Sequence, residues 1–217
     1  MGVVLDNFDL YWHGFLKTLG ICLWAGGGAL VLGTVLAACR VSPIPPLRWT
    51  GTAYVTLVRN CPLTVVLFFV AFGLPEAGVR GQTYYRFAVA GLVVYTAAFV
   101  CEAVRSGINS VPTGQAEAAR AIGLTFGQSL RFVVMPQALR TVVPPLGSVI
   151  IAMVKNSAIV GAFGVGGELF NVGAALTGAQ GLATLPVLTG VVLGYLAITI
   201  PAGFGLGVLE RKVAVAR

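Results

Sequence analysis

The sequence predicts an all-α integral membrane protein with five transmembrane helices, and three observations predict it. Of its 217 residues, 57% are hydrophobic and only 10% are charged, with a mean hydropathy of +0.91. Soluble domains carry about 25% charged residues, so too few are present to solvate a globular surface. Uncharged stretches recur at lengths that suit a hydrocarbon core of about 30 Å, which takes about 20 helical residues to cross. The third observation is that residues 105–140 are the most polar part of the chain and too polar to span. Glycine is abundant at 29 residues, but no G-X-Y period accompanies it and the apolar content excludes disorder.

The first span is predicted over 18–39, where 22 uncharged residues lie between Lys17 and Arg40. Tyr11, Trp12 and His13 ahead of it read as an interfacial belt. Asp6 and Asp9, with no basic n-region, argue against a cleavable signal peptide. The three prolines of residues 43–46 then make a loop. The second span, 52–74, is interrupted by Arg59-Asn60-Cys61-Pro62. Because the 12 residues from Leu63 to Leu74 are too few to cross alone, its helix is expected to begin upstream of Pro62, with Arg59 near or inside the membrane. The third span is 85–104, with Glu102 and Arg105 at its inner end in the i, i+3 spacing of a structural ion pair.

Within 105–140 two short helices are expected, Gly114–Ile122 and Thr125–Val134, the second capped by Thr125 and ended by Pro136. Together they make a helix–turn–helix loop. The fourth span, 141–163, has Pro144 and Pro145 in its first turn, where proline is tolerated, and carries Lys155. The 41 residues from Leu169 to Leu209 hold no charge. They exceed one crossing and divide into a short outer helix or re-entrant segment and a fifth span, 182–209. Glycine pairs at Gly190/Gly194 and Gly203/Gly207 give that last span small faces for close helix packing. The whole chain, 1–217, reads as one transmembrane domain.

Fourteen Lys/Arg against seven Asp/Glu leave a net charge of +7. There is no long basic run and no interleaving of basic with aromatic residues, so nucleic acid is not the partner. The excess instead sets orientation. With the amino terminus outside and the carboxyl terminus cytoplasmic, the inner segments hold nine basic residues (Arg40, Arg48, Arg105, Arg120, Arg131, Arg140, Arg211, Lys212, Arg217) against Lys17, Arg80 and Arg86 outside. The four cysteines lie in apolar surroundings without CxxC spacing and only one histidine is present, so no metal site is predicted and the thiols read as buried and inert. The seven acids are scattered, which disfavours a catalytic centre.

Inside the polar stretch, Glu117-Ala118-Ala119 is followed after three residues by Gly123, and after nine more by Val133-Val134-Met135-Pro136. This resembles the EAA motif of ABC importer permeases, with valine and methionine in place of the isoleucine and leucine of the I-x-L-P ending. Arg59-Asn60-Cys61-Pro62-Leu63, Phe72-Gly73-Leu74-Pro75, Glu102 to Ile108, and Lys155-Asn156-Ser157 resemble stretches of polar amino-acid permeases, with Cys61 where threonine is more usual. Arg40-Val41-Ser42-Pro43 and the Gly203–Gly207 ending extend the likeness. The chain is most similar to glutamate permease subunits of actinobacterial importers, from about Gly14 to Lys212.

The resemblance implies the fold of a type I importer permease in a bacterial plasma membrane, with residues 105–140 as a cytoplasmic coupling loop. Glu117, Ala118, Ala119, Arg120, Gly123 and Pro136 would carry the coupling. Small side chains permit close approach to a motor, and Glu117 and Arg120 supply charge-assisted bonds. It implies three protein partners: an ATPase subunit holding ATP and Mg²⁺, a second permease subunit (identical or paralogous), and an extracytoplasmic binding protein that delivers the amino acid. The chain holds no nucleotide of its own, since none of its three lysines follows a glycine as a P-loop requires. Arg59, Asn60, Lys155, Asn156 and Ser157 are candidates for the substrate path. An ionisable group in a span is costly unless paired or hydrated, so Arg59 and Lys155 either face an acidic substrate or find local partners, Glu168 being one for Lys155. The rival reading is an ion-coupled secondary transporter with Lys155 and Glu102 as coupling residues; it expects internal repeats, and none is evident.

Overall fold

The computed structural model describes residues 2–161 and 167–213, so residues 162–163 of the predicted fourth span, and Arg217, lie outside the described residues. Among the described residues every regular element is helical: α1 (Gly2–Asp6), α2 (Phe8–Val41), α3 (Pro45–Arg59), α4 (Leu63–Glu76), α5 (Tyr84–Asn109), α6 (Thr113–Ala121), α7 (Phe126–Gly161), α8 (Leu169–Gly178) and α9 (Thr184–Val213). Four of them, α2, α5, α7 and α9, are long and apolar enough to cross a bilayer, and there is a fifth if the bent pair α3 and α4 is counted as one span.

The bundle closes around α2 and α5. Gly33 of α2 lies so near α5 that a Cβ there would stand 2.5 Å from Val100 and 2.8 Å from the Ala97 carbonyl. Gly107, at the far end of α5, accepts Val142 of α7 in the same way. The core is filled by Ile21 and Ala25 of α2, Leu67 of α4, Leu92 of α5, and Met153 of α7. A second cluster seats α8 against α2 and α9 through Tyr11, Leu169, Leu176 and Val187. Tyr11 donates its hydroxyl to the Val187 carbonyl at 2.9 Å, with Gly190 leaving room for its ring. Of the two glycine pairs in α9, Gly190 and Gly194 are therefore used within the chain, against Tyr11 and Leu169. Gly207 has nothing near its face, and Gly203 only Ile151 at 3.9 Å.

Two expectations about the spans are corrected. The 52–74 stretch is not one helix begun upstream of Pro62: α3 ends at Arg59, and α4 starts at Leu63 with a 107° change of direction. Pro62 cannot donate to the ladder, and a residue before proline avoids the helical region. Helix α4 runs antiparallel to α5, with Leu67 on Gly91 and Phe72 beside Tyr84. It follows that α3 lies across α2 and α5 at their far ends, where Gly51 meets Leu36 and Arg40, and Val55 packs with Ala37 and Ala98.

The second correction concerns Pro136, which does not end a helix. Helix α7 is continuous from Phe126, and Pro144 and Pro145 lie well inside it instead of in its first turn. Residues Leu130–Val134 form a π turn, with the Met135 N–H bonded to the Leu130 carbonyl, and Pro136 follows directly. The wider turn shifts the ladder by one residue, which accommodates a ring without an N–H. Helix α4 repeats the device with a π turn at Phe69–Gly73 ahead of Pro75. Because α5 runs on to Asn109 and α7 begins at Phe126, the polar connection shrinks from 105–140 to residues 110–125.

Candidate functional site

The connection between α5 and α7 is a rigid elbow. Helix α6 ends where Gly123 takes φ +89°, its N–H bonding the Arg120 carbonyl while Leu124 N–H reaches that of Ala119; glycine alone adopts this conformation without strain. Two residues later Thr125 and Gln128 form a reciprocal capping box that starts α7. Ala119 is buried against the elbow, whereas Glu117, Ala118, Arg120 and Gly123 are exposed, and Pro136 lies exposed beyond the π turn. Among the described residues neither Glu117 nor Arg120 makes an ion pair or side-chain hydrogen bond, even with each other. Two apolar side chains stand well out beyond them: Ile122, just after α6, is 79% exposed, and Phe126, the first residue of α7, 78%. Sequence reading passed over both. The signal was there, since each is a large apolar residue beside a glycine in the most polar part of the chain.

At the elbow end of the bundle the Glu102–Arg105 pair predicted from spacing is present, with Arg105 Nη2 at 2.9 Å and Nε at 3.1 Å from Glu102 Oε2. It is half of a larger arrangement. Arg40 of α2 donates to Oε1 of the same carboxylate, and Arg59 of α3 lies 3.4 Å from that oxygen. Three guanidinium groups from three helices thus share one acid. The Arg59 guanidinium also sits over the Phe99 ring, 5.5 Å from its centroid. Neighbours 62 and 43 positions apart leave no mark in local spacing, so this convergence required the fold.

A cleft of about 240 Å³ opens beside this cluster, between Tyr95, Thr96 and Phe99 of α5 and Val149, Met153 and Asn156 of α7. The Thr96 hydroxyl is buried there without a hydrogen-bond partner. Of the candidate path residues Asn156 lines this cleft, and Arg59 reaches it through the Phe99 ring of the other wall. Asn60 is engaged locally, its amide donating to the Thr56 carbonyl at 2.8 Å. Ser157 is buried, donates to the Val154 carbonyl and does not line the cleft. Lys155 is exposed and has no ion pair among the described residues.

Glu168 does not pair with Lys155. It is completely buried and caps α8, accepting from the Phe170 and Asn171 N–H groups and from the Tyr195 hydroxyl at 3.1 Å. Gly161 lets this happen, because a Cβ there would overlap Glu168 Oε1. Burial pushes the Glu168 carboxyl above its ordinary range, against the pull of its donors.

Comparison with known proteins agrees with this architecture. Residues 29–215 match the family described as binding-protein-dependent transport system inner membrane component. The chain is 41% identical to a probable glutamine ABC transporter permease protein of Bacillus subtilis over 98% of its own length and 97% of the relative's. It is 40% identical to a glutamate transport system permease protein of Corynebacterium glutamicum, over 93% and 92%. Among solved structures it superposes on a crystal structure of an amino-acid ABC transporter with histidines at a TM-score of 0.89, with 28% identity and 97% of each chain covered.

Proposed function

The chain belongs to the family of binding-protein-dependent transport system inner membrane components, and from that premise we propose that it carries an acidic amino acid, glutamate, driven through its elbow by a separate ATPase. The coarser statement is plain: this is the non-catalytic, multi-pass permease subunit of an amino-acid ABC importer, and ATP hydrolysis lies in a partner. That membership sets aside the ion-coupled alternative.

The reading rests above all on the elbow. A surface with unpaired Glu117 and Arg120 beside fully exposed Ile122 and Phe126 is a polar and apolar patch lacking its other half. It hangs between α5 and α7 with few residues free to bend, so a push on it moves both helices. In this reading α6 seats on the ATPase, which holds ATP and Mg²⁺. The amino terminus lies outside and the elbow in the cytoplasm of a bacterial cell, as the basic residues favour. A second permease subunit completes the path, and a binding protein outside delivers the substrate. Arg59, Asn156 and Lys155 then line or flank that path, Asn60 and Ser157 supporting them from behind. Glutamate is supported by the Corynebacterium relative and by the three arginines gathered on Glu102, one of which touches a residue of the cleft wall.

Reconstituting the chain in vesicles with its ATPase and binding protein tests this. ATP-dependent uptake of L-glutamate is expected, together with a cross-link between a cysteine at Ala118 and the ATPase. An elbow that is freely labelled in the assembled complex would overturn the coupling role.

A further inference from the structure

Building on the acidic-substrate reading above, we propose that Arg59 is a cation on loan: Glu102 holds it, and a carboxylate of the arriving substrate takes it over. Three observations single it out from the other two arginines. Its contact with Glu102 is the loosest, one nitrogen at 3.4 Å, where Arg105 has two donors within 3.1 Å. Its side chain is 44% exposed against 14% for Arg40 and 35% for Arg105. It also shares Phe99 with the cleft whose opposite wall carries Asn156.

The charge count explains why the exchange is inexpensive. One carboxylate with three guanidinium groups leaves a surplus of two positive charges gathered in one place, and like charges held close together repel. Releasing Arg59 leaves Glu102 still bound by Arg40 and Arg105, so no acid is stranded. The incoming carboxylate meets a planar, two-pronged donor, and the cluster's surplus falls by one.

The exchange also has a mechanical consequence. Arg59 is the last residue of α3, and the break at Asn60–Pro62 follows it at once. Glu102 belongs to α5, which continues to the elbow. Moving Arg59 from Glu102 to the substrate therefore loosens the end of α3 from the helix that feeds the ATPase contact. Arrival of substrate is felt where α5 leads to the motor.

The test uses the whole importer in vesicles, with L-glutamate and L-glutamine as separate probes and KM read apart from maximal rate. Arg59→Gln should raise KM at least tenfold with Vmax changed far less, and Arg59→Lys should recover part of it. Glu102→Asp, which keeps a negative charge for Arg40 and Arg105 but draws it back from Arg59, should lower KM. A merely structural cluster would see both sites damage transport in the same direction, and that result would overturn the inference, as would unchanged KM in Arg59→Gln. Effects on both probes assign the α-carboxylate as the group received, and effects on glutamate alone assign the side-chain carboxylate. If the wild-type importer takes up neither probe while its ATPase is active, the substrate reading itself fails and this inference falls with it.

Discussion

Glu117 and Glu168 are both glutamates of the short helices between the long ones, Glu117 within α6 and Glu168 capping α8, and the fold treats them in opposite ways. Glu168 is wholly enclosed, with three donors on its carboxylate and a glycine cleared to admit it. Glu117 is open to solvent with no partner among the described residues. A buried polar group left unsatisfied costs more than a made bond gains, so Glu168 is finished structure. An exposed charge on the same connection as two bare apolar side chains gains nothing where it stands, and its use lies in a contact still to be made. Satisfaction within the chain separates what holds this protein together from what it offers to others.

The contrast breaks most readily at the Glu168 knot. Gly161→Val is expected to destabilise the subunit by about 3 kcal/mol, because the added atoms meet a buried carboxylate with nowhere to retreat. The thermal midpoint in detergent would show it, and an unchanged midpoint would mean that Glu168 is loosely held. At the elbow the opposite pattern is expected. Ile122→Asp or Phe126→Asp should cut ATP-driven uptake by about a hundredfold while leaving the midpoint alone, since exposed substitutions stay within about 0.5 kcal/mol. A drop in both quantities together would erase the distinction. Thr125→Ala falls between them: losing half of a capping box costs about 1 kcal/mol, read as a small loss of midpoint and, through a softened elbow, a two- to fivefold loss of uptake.

The same distinction explains what was legible in the sequence. Apolar length located α2, α5 and α9, and the i, i+3 spacing located Glu102 with Arg105, because each is written in neighbouring residues. The Thr125 cap was readable for the same reason. Pro136 and Pro144 misled, since proline is a helix breaker unless the ladder before it widens or the helix is otherwise held, and a π turn has no spacing rule to read. Arg40 and Arg59 at Glu102, and Tyr195 and Gly161 at Glu168, come together only when distant helices pack. The elbow's coupling pattern was visible through a resemblance, yet Ile122 and Phe126 were not part of that pattern and were seen only as exposed surface.

The smallest effect expected concerns protons, and it lies at Glu168. Burial sets the Glu168 carboxyl above its ordinary value, so the folded protein keeps a proton that the unfolded chain has already released. Between the ordinary and the raised value the native state binds more protons than the unfolded one, and stability must fall as pH rises through that window. The thermal midpoint of the wild-type subunit should therefore be higher at the acidic side of the window than at neutral pH. Glu168→Gln cannot release a proton there, so its midpoint should lose that part of the slope. Subtracting one profile from another removes what all other groups contribute. Equal slopes in wild type and Glu168→Gln would show that the donors of α8 and Tyr195 offset burial, and that the Glu168 carboxyl is not raised.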